Sequence, residues 1–279
     1  MLGMKFPDSA RTVSLILIVV LLLVIVISRH GNTLLRAAVG QGISLQTAGF
    51  SQMENDHFVI KYTELDSSYS AMIAEVAEEA YTEVTQEFNR EPRNKTIIVV
   101  YPDSASLANS FGWDKNEKAL GVYWAGSIRV VSPEEWMADP QDKQEFASDG
   151  PVVHEFVHLM VDELTGGNYN RWWTEGIAQY YEKKITGFEF ADPSFEGGQL
   201  TYYKLSVLGK HFDQTDQAVA YWESLQVVEY IANHYGEEAL FTTMNYLDQG
   251  YSLEKSISKA LDLDYQKFAQ DFYKHLENR

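Results

Sequence analysis

Hydrophobic and polar positions change rhythm along the chain, and the rhythm assigns the elements. Between His57 and Tyr62, aromatic and aliphatic residues alternate with polar ones, the period of a half-buried strand. From Ser67 to Phe88 the apolar positions Met72, Ile73, Val76, Ala77, Ala80, Tyr81, Val84 and Phe88 recur at helical spacing with glutamates on the outer face. That stretch is expected to be a long amphipathic helix. Thr96 to Tyr101 is a continuous apolar run closed by Pro102-Asp103, which reads as a buried strand. Two strands flanking a helix imply a right-handed βαβ unit. Gly121 to Ala125 and Ile128 to Val131 read as two more strands about Gly126-Ser127, ending at Pro133. Farther on the period becomes helical, over Asn170 to Glu182, Tyr221 to Tyr235, Glu237 to Leu247, Leu253 to Leu261 and Tyr265 to Leu276. A sheet-bearing first part followed by helices places the domain in the α+β class.

The N-terminus obeys a different rule. Thr12 to Ser28 holds no charged residue and is bracketed by Arg11 and Arg29. Seventeen residues of helix reach about 25 Å, just short of the roughly 27–30 Å of bilayer hydrocarbon, so a spanning helix is feasible if the arginines snorkel. No small-x-small cleavage site comes after the run; the next residues are Arg29, His30, Gly31 and Asn32. An uncleaved anchor is therefore expected over a cleaved signal peptide. The expected organisation is a cytoplasmic tail at 1–11, a single-pass anchor at 12–28, a glycine-containing juxtamembrane linker at 29–52 and a folded domain over 53–279 on the extracytoplasmic side.

One stretch carries chemistry of its own. His154 and His158 lie four residues apart, one above the other on a helix, so that both rings can reach one metal ion. Glu155 is displaced from the first histidine by about 100° around the axis, beside the metal and free to take a proton from activated water. His154-Glu155-Phe156-Val157-His158 is thus the H-E-x-x-H pattern of zinc hydrolases. Ser148 or Asp149 is a candidate cap for this helix, Pro151 falls in its first turn, and Gly166-Gly167 ends it. Val152, Val153, Phe156, Val157, Leu159, Met160 and Val161 cover nearly every direction around it, which predicts a buried helix. Two histidines and an acid on such a helix need a partner.

Composition narrows the possibilities. A 279-residue chain with 45% hydrophobic residues, 17 tyrosines, 14 phenylalanines and 6 tryptophans builds a sizeable core. Its 40 acidic and 22 basic residues give a net charge of -18, which argues against nucleic acid as a partner. There is no cysteine, so any metal must be held by His, Asp or Glu.

A catalytic zinc takes three protein ligands and leaves a position open for water, and the motif supplies two. The second helix, Asn170-Arg171-Trp172-Trp173-Thr174-Glu175-Gly176-Ile177-Ala178-Gln179-Tyr180-Tyr181-Glu182, carries Glu175 near its start. Gly176 and Ala178 are small enough for a close approach to the first helix. Glu182, seven residues on, is placed to accept a hydrogen bond from a ligand histidine. Asp162 lies a turn past His158 but drifts off the histidine face, as a solvated residue would, and Glu163 points farther away.

The run Trp173 to Glu182 resembles the W-x-E-G-x-A-x-Y-x-E segment of gluzincin metallopeptidases, in particular bacterial peptidase MA-like domains, with M1 aminopeptidases more distant. The likeness covers roughly residues 54–279, including Ala220-Tyr221-Trp222-Glu223-Ser224, and is tight at the two motifs. It implies a zincin-like α+β domain with a small mixed sheet and a helical C-terminal part. It further implies Zn2+ held by His154, His158 and Glu175, with Glu155 as general base. The resemblance also offers Tyr221 as donor to the oxyanion, with His211 and His234 as alternatives. Sixteen residues separate His158 from Glu175, fewer than in M1 enzymes, so no aminopeptidase specificity is implied. The expected function is zinc-dependent hydrolysis of peptide or protein substrates at a membrane. The contrasting expectation is a binding or scaffolding protein that keeps the fold without turnover, which would have no need of Glu155.

Overall fold

The computed structural model describes residues 35–115, 119–193, 195–196 and 199–278. The expected tail at 1–11 and the anchor at 12–28 lie outside them, and among the described residues no helix is long and apolar enough to cross a membrane. The chain divides into two units, residues 1–45 and 46–279. In the first, part of the stretch read as a linker is helical: α1 covers residues 35–46, where Leu35, Val39 and Ile43 repeat at four-residue spacing.

The second unit begins with a five-stranded sheet of β1 (Ser51–Glu54), β2 (Phe58–Tyr62), β3 (Thr96–Tyr101), β4 (Gly121–Trp124) and β5 (Ser127–Val131), in the order β1-β2-β3-β5-β4. The central strands β2, β3 and β5 are parallel, and β1 and β4 run antiparallel at the edges. Helix α2 (Ser70–Phe88) connects β2 to β3, as the βαβ pattern requires. Phe58, Ile60, Ile98, Val100, Ile128 and Val130 alternate inward and are fully buried with Ile73, Ala77 and Val84 of α2. On the other face lies α3 (Ser104–Ser110), where Arg129 Nη1 donates to Ser110 Oγ at 2.7 Å and the guanidinium lies 4.0 Å from the Phe111 ring centre. The β4–β5 hairpin closes through Ala125 and Gly126 at φ +46° and +90°, a turn that demands left-handed backbone at both positions.

After α4 (Pro133–Trp136) comes α5 (Lys143–Asp149), a short helix that corrects the expected start of the metal helix. Ser148 and Asp149 belong to its last turn and cap no later helix. Gly150 makes the junction, where a Cβ would stand 2.2 Å from the Phe146 carbonyl oxygen. The helix that carries His154 and His158, α6 (Val152–Thr165), has Pro151 as its N-cap and ends at Gly166, whose φ of +62° is the left-handed stop expected of glycine. Its Phe156 ring lies 5.7 Å from that of Phe58, which sets α6 against the sheet.

Helix α7 (Arg171–Thr186) packs on α6 and on α9 (Gln217–Tyr235), with α8 (Leu205–His211) lying between α7 and α9 in sequence. Gly176, expected to admit α6, faces α9 instead: a Cβ there would sit 2.4 Å from the Ser224 carbonyl oxygen and 2.8 Å from Val228 Cγ2. Beyond these, α10 (Glu238–Asp248), α11 (Leu253–Leu261) and α12 (Tyr265–Leu276) close the core with Leu240, Leu247, Ile257, Phe268 and Phe272. Between α7 and α8, a two-stranded pair joins β6 (Phe195–Glu196) to β7 (Gln199–Leu200).

One buried acid in this helical part is held by an amide and a phenol. Glu223 of α9 is fully buried, and its Oε2 accepts from the Tyr203 amide at 2.6 Å while Tyr273 OH lies 3.2 Å from Oε1. Burial pushes its carboxyl from the ordinary 4.5 up to about 8, against the pull of those two donors. The folded form therefore holds a proton between about pH 4.5 and 8 that the unfolded chain has released. The stability this confers is complete below the lower value and is lost as pH rises through the upper one. Denaturant unfolding of the wild type is expected to show stability falling by a few kcal/mol from pH 5 to pH 9. Glu223→Gln, which mimics the protonated carboxyl, should flatten that slope and exceed the wild type at pH 9.

Candidate metal centre

Helices α6 and α7 bring three side chains from distant parts of the sequence to one point. The ligand-type atoms of His154, His158 and Glu175 lie within 4.8 Å of one another. Glu175 Oε2 stands 3.5 Å from His154 Nε2 and 3.4 Å from His158 Nε2. Those separations are too long for N–H···O hydrogen bonds. They match the about 3.3–3.4 Å between neighbouring ligands of a tetrahedral ion with bonds of about 2.0–2.1 Å. Glu175 Oε2 is moreover buried with no hydrogen-bond partner, as a metal-facing oxygen would be.

The other ring nitrogens are occupied. His154 Nδ1 lies 2.9 Å from Glu182 Oε2 and His158 Nδ1 lies 2.6 Å from Thr174 Oγ1. The Glu182 carboxylate suits a proton on His154 Nδ1, and Nε2 of each ring faces Glu175. Glu182 therefore sits where its spacing in the sequence places it. Thr174 has no such signal, because a hydroxyl just before a candidate ligand is not marked by spacing.

Electrostatics favour a cation at this point. Burial works to lower the His154 pKa, but the carboxylates of Glu182 and Glu175 outweigh it and hold the imidazole well above its usual range. Burial works to raise Glu175, and the facing imidazoles of His158 and His154 outweigh that, holding it well below the usual carboxylate range. A buried carboxylate and two converging nitrogens are a donor set suited to zinc.

Glu155, one position after His154, reaches the edge strand β4. Its Oε2 accepts the Tyr123 amide at 2.5 Å, and its side chain packs so closely on β4 that a Cβ on Gly121 would stand 2.8 Å from Glu155 Cγ. Burial raises its pKa, opposed by His158 and His154. Tyr123 also donates its hydroxyl to Asp162 Oδ2, so one residue fastens β4 to α6 at two levels. Asp162 is thereby buried and hydrogen-bonded, contrary to the solvated residue expected, and half-buried Glu163 pairs with Arg93 at 3.6 Å.

Tyr221 of α9 reaches the site from the α7 side, donating its hydroxyl to Glu175 Oε1 at 3.1 Å. Arg171 donates from Nε to the same Oε1 at 3.3 Å and from Nη2 to Tyr221 OH at 3.2 Å. Sequence reasoning missed Arg171, although it precedes Glu175 by four residues, the spacing of helical neighbours. His234 is engaged elsewhere, its Nδ1 2.9 Å from the Tyr230 carbonyl and its ring 5.0 Å from that of His275, and His211 ends α8 in an exposed position.

The family model described as Peptidase MA superfamily matches residues 76–278. The chain belongs to the peptidase MA superfamily. Both motifs and the three converging side chains lie within the matched residues. No curated protein matches the chain. Among solved structures, that of Legionella pneumophila aminopeptidase A in complex with aspartic acid is similar at a TM-score of 0.48 and 15% identity, over 80% of this chain and 27% of that one. The chain thus spans about a quarter of that protein's length.

The His154–Glu182 contact gives this centre a direct test. Glu182→Ala frees the ring to rotate and is expected to weaken zinc binding about 10–100-fold. Glu182→Gln, which keeps an acceptor, should weaken it less. Competition with a chromophoric chelator measures both, with circular dichroism as the check on folding.

Proposed function

We propose that this member of the peptidase MA superfamily is a zinc-dependent peptidase, and that Thr12 to Ser28 anchors it in a membrane with the catalytic domain outside. The observation that carries the chemistry is Glu175 Oε2, buried without a hydrogen bond at ligand spacing from two Nε2 atoms. The anchor rests on the uncharged apolar run between Arg11 and Arg29.

Bound to His154, His158 and Glu175, zinc would act as a Lewis acid towards the scissile carbonyl and the attacking water. Glu155 takes the proton of that water and delivers it to the leaving amine. Burial raises its pKa, which favours its taking up a proton. The Tyr123 amide holds the carboxylate in place meanwhile. Among the described residues β4 pairs only with β5, and an extended peptide backbone pairing with its outer edge would lie beside Glu155, which now holds the Tyr123 amide. Tyr221 supplies the hydroxyl for the developing oxyanion, which requires it to exchange Glu175 Oε1 for the substrate oxygen.

The general base separates hydrolysis from metal binding. Glu155→Gln keeps an acceptor for the Tyr123 amide and leaves the three metal-facing atoms untouched. It is expected to retain zinc at wild-type stoichiometry while cleavage of a peptide library falls by about 10²–10⁴-fold. Zinc-loaded wild type that cleaves no member of the library would instead support the reading as a binding or scaffolding protein.

A further inference from the structure

The two oxygens of Glu175 live in different surroundings, and that asymmetry has a source. Oε2 faces the two imidazoles and has no hydrogen bond. Oε1 takes one from Arg171 Nε at 3.3 Å and one from Tyr221 OH at 3.1 Å. Arg171 Nη2 donates to that same hydroxyl at 3.2 Å, so the phenol oxygen accepts from the guanidinium and passes its own proton to Glu175. The remaining nitrogen, Nη1, donates to Asp213, and the guanidinium sits 5.2 Å from the centre of the Phe212 ring. Arg171 is therefore gripped by α7 itself, by the turn at Phe212–Gln214 and by α9 through Tyr221.

A carboxylate with both oxygens free can swing between one-point and two-point attachment to an ion. Two donors on Oε1 remove that freedom and turn the Oε2 lone pair towards the histidines. We infer that Arg171 is a positioning residue that, with Tyr221, fixes Glu175 as a one-oxygen ligand through Oε2. The inference rests on the proposed reading of the site as a zinc centre and adds what sets its geometry. A lysine would not reproduce the arrangement, because a single ammonium cannot span Glu175, Tyr221 and Asp213 with the fixed fork of a guanidinium.

The test uses the chain with metal alone, without any substrate. Zinc affinity is measured by chelator competition, and the ligand number by the visible absorption of the cobalt(II)-substituted protein, for wild type, Arg171→Met and Arg171→Lys. The expected result for Arg171→Met is zinc binding weakened about 10–100-fold, together with a fall in cobalt band intensity as Glu175 engages through both oxygens. Arg171→Lys, which keeps a cation at this position and serves as the folded reference if the methionine variant does not fold, should recover part of the affinity and show the same altered spectrum. A purely structural role would lower thermal stability and leave the cobalt spectrum of the folded fraction unchanged. Wild-type affinity and spectrum in the folded variants would overturn the inference while leaving the zinc centre standing. Failure of the wild type itself to bind zinc would overturn both.

Discussion

A charged oxygen buried away from water without a hydrogen bond costs about 1–3 kcal/mol or more, and Glu175 Oε2 is such an oxygen. The surrounding structure holds it there, with His154 Nε2 and His158 Nε2 3.5 and 3.4 Å away. Arg171 and Tyr221 occupy Oε1, Glu182 and Thr174 hold the outer nitrogens of the two histidines, and what remains is two imidazole nitrogens and one carboxylate oxygen facing one point. Such an arrangement is suited to a cation.

The frame that enforces this is a stack of three helices. Helix α6 is buried nearly all round and lies against the sheet through Phe156, while α7 lies against α6 and presents Glu175 and Glu182 on the same side. Gly176 lets α9 come close enough for the Ser224 carbonyl to approach α7, and that closeness brings Tyr221 within reach of Glu175. At the edge strand, Gly121 leaves room for the Glu155 carboxylate against β4, and Tyr123 holds it there. Two glycines thus set how near the flanking elements come to the metal helix pair, one for each acid.

Much of this is legible in the sequence. Thr96–Tyr101, Leu253–Leu261 and Tyr265–Leu276 form their elements with the boundaries the periodicity gives, because each is a clean apolar run or amphipathic stripe ended by a turn signal or cap. The histidine pair, Glu175 and Glu182 are legible because helical geometry turns spacing into direction. Elements whose existence depends on tertiary contact are not. Helices α3, α5 and α8 are seven residues each, too short for a period to declare itself, and β1 is a four-residue edge strand with no buried position. Partners that meet through space escape for the same reason. Spacing says nothing of Tyr123 donating to Glu155 across 32 positions, nor of which helix Gly176 admits.

The site geometry points to one ion joining two imidazoles and a single carboxylate oxygen. The most direct measurement is a crystal structure of the zinc-supplemented protein with anomalous data above and below the zinc edge. The account predicts one peak per chain, about 2.0–2.2 Å from His154 Nε2, His158 Nε2 and Glu175 Oε2, with Glu155 outside bonding distance. A peak elsewhere, or none between these three residues with zinc in excess, would contradict it.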